Sequence, residues 1–191
     1  MRWNRLLALT CPAMLVAALS PAGAQKPTFF DKAVKKIEAK FEPAEAKPGQ
    51  TVTFQIVMEM NKGFHTYPTM QPEKAAENFV NIIKFPKPGD VIFVGKLADP
   101  KKFETHAEPM LGIKELHVLT GTAIYTRKAV VSPKAKAGMV EVKLDLFEVM
   151  VCDASNCFPK KVPLTARFKV LEGPAAPVEK QFAEEVAKAV K

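Results

Sequence analysis

The stretch TVTFQIVMEM, residues 51–60, alternates apolar and polar side chains, so Val52, Phe54, Ile56, Met58 and Met60 fall on one face of an extended chain. On a helix the same side chains would scatter around the axis, and the stretch is therefore read as a strand with one face buried. VPLTARFKVLE repeats the pattern, with Leu164, Ala166, Phe168 and Val170 on one side. A half-buried strand needs a second layer to pack against, which makes a layered β architecture the starting expectation.

A less regular strand carries Val34, Ile37, Ala39 and Phe41, and further strands are predicted over 79–85, 91–96, 115–131 and 139–152. Turn signals at Lys87-Pro88-Gly89-Asp90, Ser132-Pro133 and Lys136-Ala137-Gly138 separate them. Many short strands and almost no amphipathic helix predict an all-β, immunoglobulin-like antiparallel β-sandwich. One irregularity stands out within 139–152. Val140, Val142, Leu144 and Leu146 hold one parity while Phe147, Val149 and Val151 hold the other, as a bulge or burial on both faces would produce. After Gly173 the chain changes character. Pro174 and Pro177 make a spacer, and Val178, Phe182, Val186 and Val190 recur every fourth residue as the stripe of a short C-terminal helix that either docks or frays.

The first residues combine Arg2 and Arg5, an apolar run from Leu6 to Leu19, and the small-residue site Ala22-Gly23-Ala24. This is the pattern of a cleaved secretory signal over 1–24, and the run, short and broken by Pro12, is a poor membrane span. The expected organisation is a signal at 1–24, one sandwich over 25–172, and the spacer and helix over 173–191. Export places the chain in the periplasm or outside the cell, without stable membrane insertion after cleavage. The formal charge of +8 is spread as single lysines among acids, with lysine doublets only at Lys35-Lys36, Lys101-Lys102 and Lys160-Lys161. That lacks the clustered cations and interleaved aromatics of a nucleic-acid surface, so no nucleic-acid partner is expected.

Of the three cysteines, Cys11 leaves with the leader, which leaves Cys152 and Cys157 in VCDASNCFPKKVP. Asp153, Ala154, Ser155 and Asn156 favour a turn, so the two sulfurs sit at neighbouring strand ends within disulfide reach. Three uses remain open. A staple gains little here, because closing a loop of about six residues contributes only about 2 kcal/mol. A metal site would have to recruit His65, His106 or His117 from elsewhere in the chain, and none lies beside the pair. A redox pair needs access and an activated thiolate, for which Lys160-Lys161 would favour Cys157 and Asp153 would disfavour Cys152. No metal or other cofactor is expected.

CDASNCFP followed by KKVPL resembles the cysteine segment of the N-terminal periplasmic domain of the thiol:disulfide interchange protein DsbD, the disulfide-bond corrector domain family. GFHTYP, residues 63–68, follows its strand as that family's Gly-aromatic-x-x-Tyr segment does, and the resemblance runs from about Phe41 to Val170. It implies an immunoglobulin-like domain acting as a thiol-disulfide oxidoreductase or electron relay. A thioredoxin-like or membrane electron-donor protein would reduce the pair, and oxidised periplasmic thiol proteins would receive the electrons. By position, Cys157 is implied to form the mixed disulfide and Cys152 to resolve it. His65, Tyr67, Phe158 and Pro159 would line the site, and Phe103, in KKFETHAEPM, would tip a mobile cap loop. The sequence departs from the family where His65 replaces an aromatic residue and Lys101-Lys102 replace acidic ones. It also carries one domain, so the expected donor is a separate protein. The alternative is a non-catalytic binding or scaffolding sandwich whose disulfide is structural.

Overall fold

The computed structural model describes residues 26–190, so the predicted signal at 1–24, with Cys11, lies outside the described residues. A short helix α1 (Phe29–Ala33) comes first, capped by Thr28, whose hydroxyl accepts from the Asp31 N–H while the Asp31 carboxylate accepts from the Thr28 N–H. The strands follow as β1 (Val34–Glu42), β2 (Glu45–Ala46), β3 (Thr51–Met60), β4 (Ile82–Lys84), β5 (Val91–Ala98) and β6 (Glu104–Glu108). They continue as β7 (Ile113–Val118), β8 (Thr122–Val131), β9 (Gly138–Lys143), β10 (Leu146–Cys152), β11 (Cys157–Lys161) and β12 (Thr165–Val170), before the closing helix α2 (Ala183–Ala189).

One layer is the antiparallel sheet β1-β3-β8-β5, and the facing layer is split into β2-β12-β9 and β11-β10-β4. The alternation in β3 works as predicted: Val52, Phe54, Ile56, Met58 and Met60 are all buried. They meet Ala166, Phe168 and Val170 of β12 and Phe147, Val149 and Val151 of β10 in one core cluster. Phe41 stands edge-on to both Phe54 and Phe168, with ring centroids 5.3 and 5.4 Å apart, which ties the layers together. This is the immunoglobulin-like β-sandwich expected, each core aromatic contributing roughly 1.5–3 kcal/mol by burial.

Three predicted strands are shorter or divided. The 115–131 segment breaks into β7 and β8 because Leu119 leaves the ladder to pair with Thr66, its N–H and C=O bonding that residue at 2.8 and 2.9 Å. The 79–85 segment is strand only over β4, since Asn81 turns inward. The parity switch in 139–152 is neither a bulge nor a strand buried on both faces. The chain leaves one sheet at Leu144, whose N–H bonds Leu164, and enters the next at Asp145, whose N–H bonds Lys84. Each half keeps its own inward parity.

The C-terminal stripe docks. Phe182, Val186 and Val190 pack with Val178 on Ile92, Val94 and Val130, on the face of the first layer that points away from the core. Glu185 accepts the Gly95 N–H at 3.0 Å, and Lys134 Nζ donates to the Val190 carbonyl at 2.7 Å. The spacer lies against Gly49, where φ is +83° and an added Cβ would stand 1.9 Å from the Ala176 carbonyl oxygen, so only glycine fits.

Candidate functional site

β10 and β11 form a hairpin whose closing residues are the two cysteines, joined as a disulfide. The turn is built by Asp153, whose carboxylate accepts the N–H groups of Ser155 and Asn156, both at 2.8 Å. Those bonds, to Ser155 first, hold the Asp153 carboxyl below its ordinary range. The hairpin treats its two sulfurs unequally: Cys152 is fully buried, whereas Cys157 is exposed.

The GFHTYP segment crosses the other side of β10. His65 and Cys152 exchange backbone hydrogen bonds, both at 2.9 Å, which directs the Cys152 backbone away from β11. Cys152–Cys157 is therefore a pair without ladder hydrogen bonds between its members, and so, two residues along, is Met150–Pro159. Met150 N–H donates instead to Asn81 Oδ1 at 2.8 Å, and its carbonyl accepts from Thr66 Oγ1 at 2.7 Å. Proline is tolerated at 159 for this reason, because its missing N–H would have pointed to solvent.

Asn81, 1 % exposed, is the hub of this corner. Its amide nitrogen lies 2.7 Å from both the Tyr67 carbonyl and the Tyr125 hydroxyl, and Tyr125 Oη donates to the same Tyr67 carbonyl at 2.6 Å. The network fixes Tyr67 over the disulfide, with its hydroxyl 3.4 Å from Cys152 Sγ and 3.8 Å from Cys157 Sγ. Neither bonded sulfur carries a proton, so the phenol is the donor. Burial pushes the Tyr67 pKa up to about 12, which keeps that O–H in place at neutral pH. His65 Nε2 lies 3.4 Å from the same hydroxyl, and burial, followed by the nearby His106, depresses its pKa and favours the neutral ring.

Behind the sulfurs lies a small apolar cluster of Cys152, Tyr67, Ala76, Ile113, Leu116 and Val118, separate from the main core. In front lies a cleft of about 940 Å³ lined by His65, Tyr67, Phe64, His106, Glu108, Leu111, the 153–156 turn and Cys157. The structure thus brings Cys152, Cys157, His65 and Tyr67 together. Phe158 lies beside them on the far side of the hairpin, its ring 4.7 Å from Phe29, which in turn meets Phe64 edge-on. Phe103 is elsewhere. It stacks on His117 with ring centroids 3.8 Å apart and does not line the cleft; from the predicted cap interval it is His106 and Glu108 that reach it. The lysines after Cys157 face carboxylates, Lys161 pairing with Glu148 at 3.9 Å and Lys160 lying near Asp31.

Among the described residues no cluster of His, Cys, Asp and Glu is arranged to hold a metal ion, and no helix is long and apolar enough to cross a membrane. Sequence reasoning missed Asn81 and the α1 aromatics. A lone polar residue inside the apolar run FVNII was the available signal for the first; Phe29 and Phe30 carried none, as their partners are distant in sequence.

No family model and no curated protein matches the chain. Among solved structures it is similar to the N-terminal periplasmic domain of ScsB from Proteus mirabilis, at 11% identity and a TM-score of 0.44, covering 77% of this chain and 50% of that one. It is also similar to BcpA, the major pilin subunit of Bacillus cereus, at 11% identity and a TM-score of 0.30 over 69% of this chain and 39% of that one. A family 123 glycoside hydrolase from Clostridium perfringens shares 12% identity and a TM-score of 0.30, over 68% of this chain and 23% of that one. The chain thus spans half the length or less of each, and likenesses this distant say nothing about chemistry.

Proposed function

We propose that the protein is an exported dithiol–disulfide relay working through Cys152 and Cys157. The observation that carries this reading is the asymmetry of the pair: Cys157 is an exposed residue lining a cleft, and Cys152 is buried, with its sulfur against the Tyr67 hydroxyl. A donor thiolate of a thioredoxin-like protein attacks Cys157 Sγ and the Cys152–Cys157 bond breaks. Cys152 leaves as a thiolate with Tyr67 Oη as hydrogen-bond donor, and then takes up a proton. The donor's second thiolate closes the donor disulfide and releases Cys157. In the outward half, the Cys157 thiolate attacks the acceptor disulfide, and one acceptor sulfur leaves and is protonated. Cys152, deprotonated, then attacks Cys157 Sγ, re-forming the bridge and releasing the second acceptor thiol. Each cycle moves two electrons and two protons.

Reduction potential and trapping test this. A Cys152→Ser variant is expected to accumulate a mixed disulfide at Cys157 with a thioredoxin-like protein, and the wild-type bridge to have a potential above about −300 mV. A lower potential with no trapped species overturns the reading. The second reading, a binding module with a structural bridge, is favoured by the place of Cys152 in a buried cluster. It predicts that the Cys152→Ala/Cys157→Ala double variant loses well over the about 2 kcal/mol that closing so short a loop supplies.

A further inference from the structure

β6 and β7 form a two-stranded sheet whose outer edges differ. The β7 edge is closed by side chains. Gln71 donates to the His117 carbonyl and accepts from the His117 N–H, both at 2.9 Å, and Glu73 accepts the Lys114 N–H at 3.2 Å. Since His117 directs both backbone groups away from β6, Thr105–His117 is a pair without ladder hydrogen bonds. The N–H and C=O of Thr105 therefore point to the outer edge of β6, where no partner strand stands among the described residues. All five residues of β6 are exposed.

Glu104, His106 and Glu108 share the alternate face of β6, and His106 and Glu108 line the cleft that holds Cys157. A strand added outside β6 would continue this sheet and present every second side chain on that same face. We propose that the outer edge of β6 is the docking site for an extended, disulfide-bearing segment of the exchange partner, bound as an added strand with its cysteine directed to Cys157. Glu108 and Asp153, which line the cleft with one lysine, Lys62, and Glu104 on the same face of β6, select lysine or arginine beside that cysteine. The proposal rests on the relay reading for its chemistry, but strand addition itself is tested by binding alone.

The probe is a short β-prone synthetic peptide with a serine in place of its cysteine and lysines on either side, titrated against the oxidised protein. It is compared with two twins N-methylated at alternate amides of either parity, and with a twin carrying glutamate for lysine. The expected result is protection of the Thr105 amide from hydrogen exchange on binding. One methylated twin and the Thr105→Pro variant should each lose about tenfold or more in affinity, as the loss of one or two backbone hydrogen bonds implies. The glutamate twin should bind more weakly than the lysine peptide. An unchanged Thr105 amide, or equal affinity for the peptide and both methylated twins, overturns the docking site even if Thr105→Pro fails to fold. Failure of the reduced protein to exchange with small disulfides would instead overturn the relay reading and leave the binding result standing.

Discussion

Phe54 and Asn81 are equally buried, at 1 % exposure each, but they are held by opposite means. Phe54 sits in the main core with Phe41, Phe85 and Phe93 around it, its ring centroids 5.3, 5.8 and 5.4 Å from theirs. Asn81 is surrounded by polar groups of Thr66, Tyr67, Tyr125 and Met150, with which it makes hydrogen bonds. In the first region any well-packed apolar neighbour would serve, since burial is non-directional. In the second, each bond is directional and each orphaned partner is costly, so the network specifies where the GFHTYP segment lies relative to the cysteines. The sandwich supplies stability, and the cysteine corner supplies position.

The largest expected effect falls in the core. Phe54→Ala should destabilise the protein by about 3–5 kcal/mol in urea unfolding while leaving the reduction potential of Cys152–Cys157 unchanged. A shifted potential would mean that the two regions are not separate. Asn81→Ala comes next, at about 2–3 kcal/mol, because several buried partners lose a bond together. Unlike the core variant it should move the disulfide potential, since Tyr67 loses its anchor; a potential equal to wild type would break the contrast.

The smallest effect is a pH dependence. The pKa of His65 is lower in the folded protein than its ordinary 6.5, so the unfolded chain binds that proton more readily. Stability from this group is present above about pH 6.5 and is lost as pH falls through the folded pKa, a small effect for a ring that is only part-buried and screened by solvent. His65→Phe should flatten the stability profile just below pH 6.5; a profile that keeps the wild-type slope there would assign it to another group.

Much of the sandwich was legible because strand alternation is local. Val52 through Met60 declare their buried face by spacing alone, and so do Leu164 through Val170. The parity switch near Leu146 was equally visible, but its cause was not: alternation says which residues share a face and is silent on which sheet they join. The close spacing of Cys152 and Cys157, with turn residues between them, was sufficient to place their sulfurs together. Their neighbours in the chain already pointed to Cys157 as the reactive one, but the burial that separates them was not legible, since Cys152 is covered by β7 and by Tyr67, elements far away in sequence. The same holds for Phe103, whose stacking on His117 depends on how β6 pairs with β7.

The sequence by itself determined most of the sandwich strands, their buried faces and the hairpin that unites the two cysteines, because period-two patterning and turn chemistry act within a few residues. Only the tertiary structure decided which sulfur is reachable, which hydroxyl stands over the pair and which strand edge stays open beside it. Those depend on hydrogen bonds between segments up to 90 residues apart, such as Thr66 to Met150 and Tyr67 to Cys157, and long-range closure of that kind leaves no periodic trace in the chain.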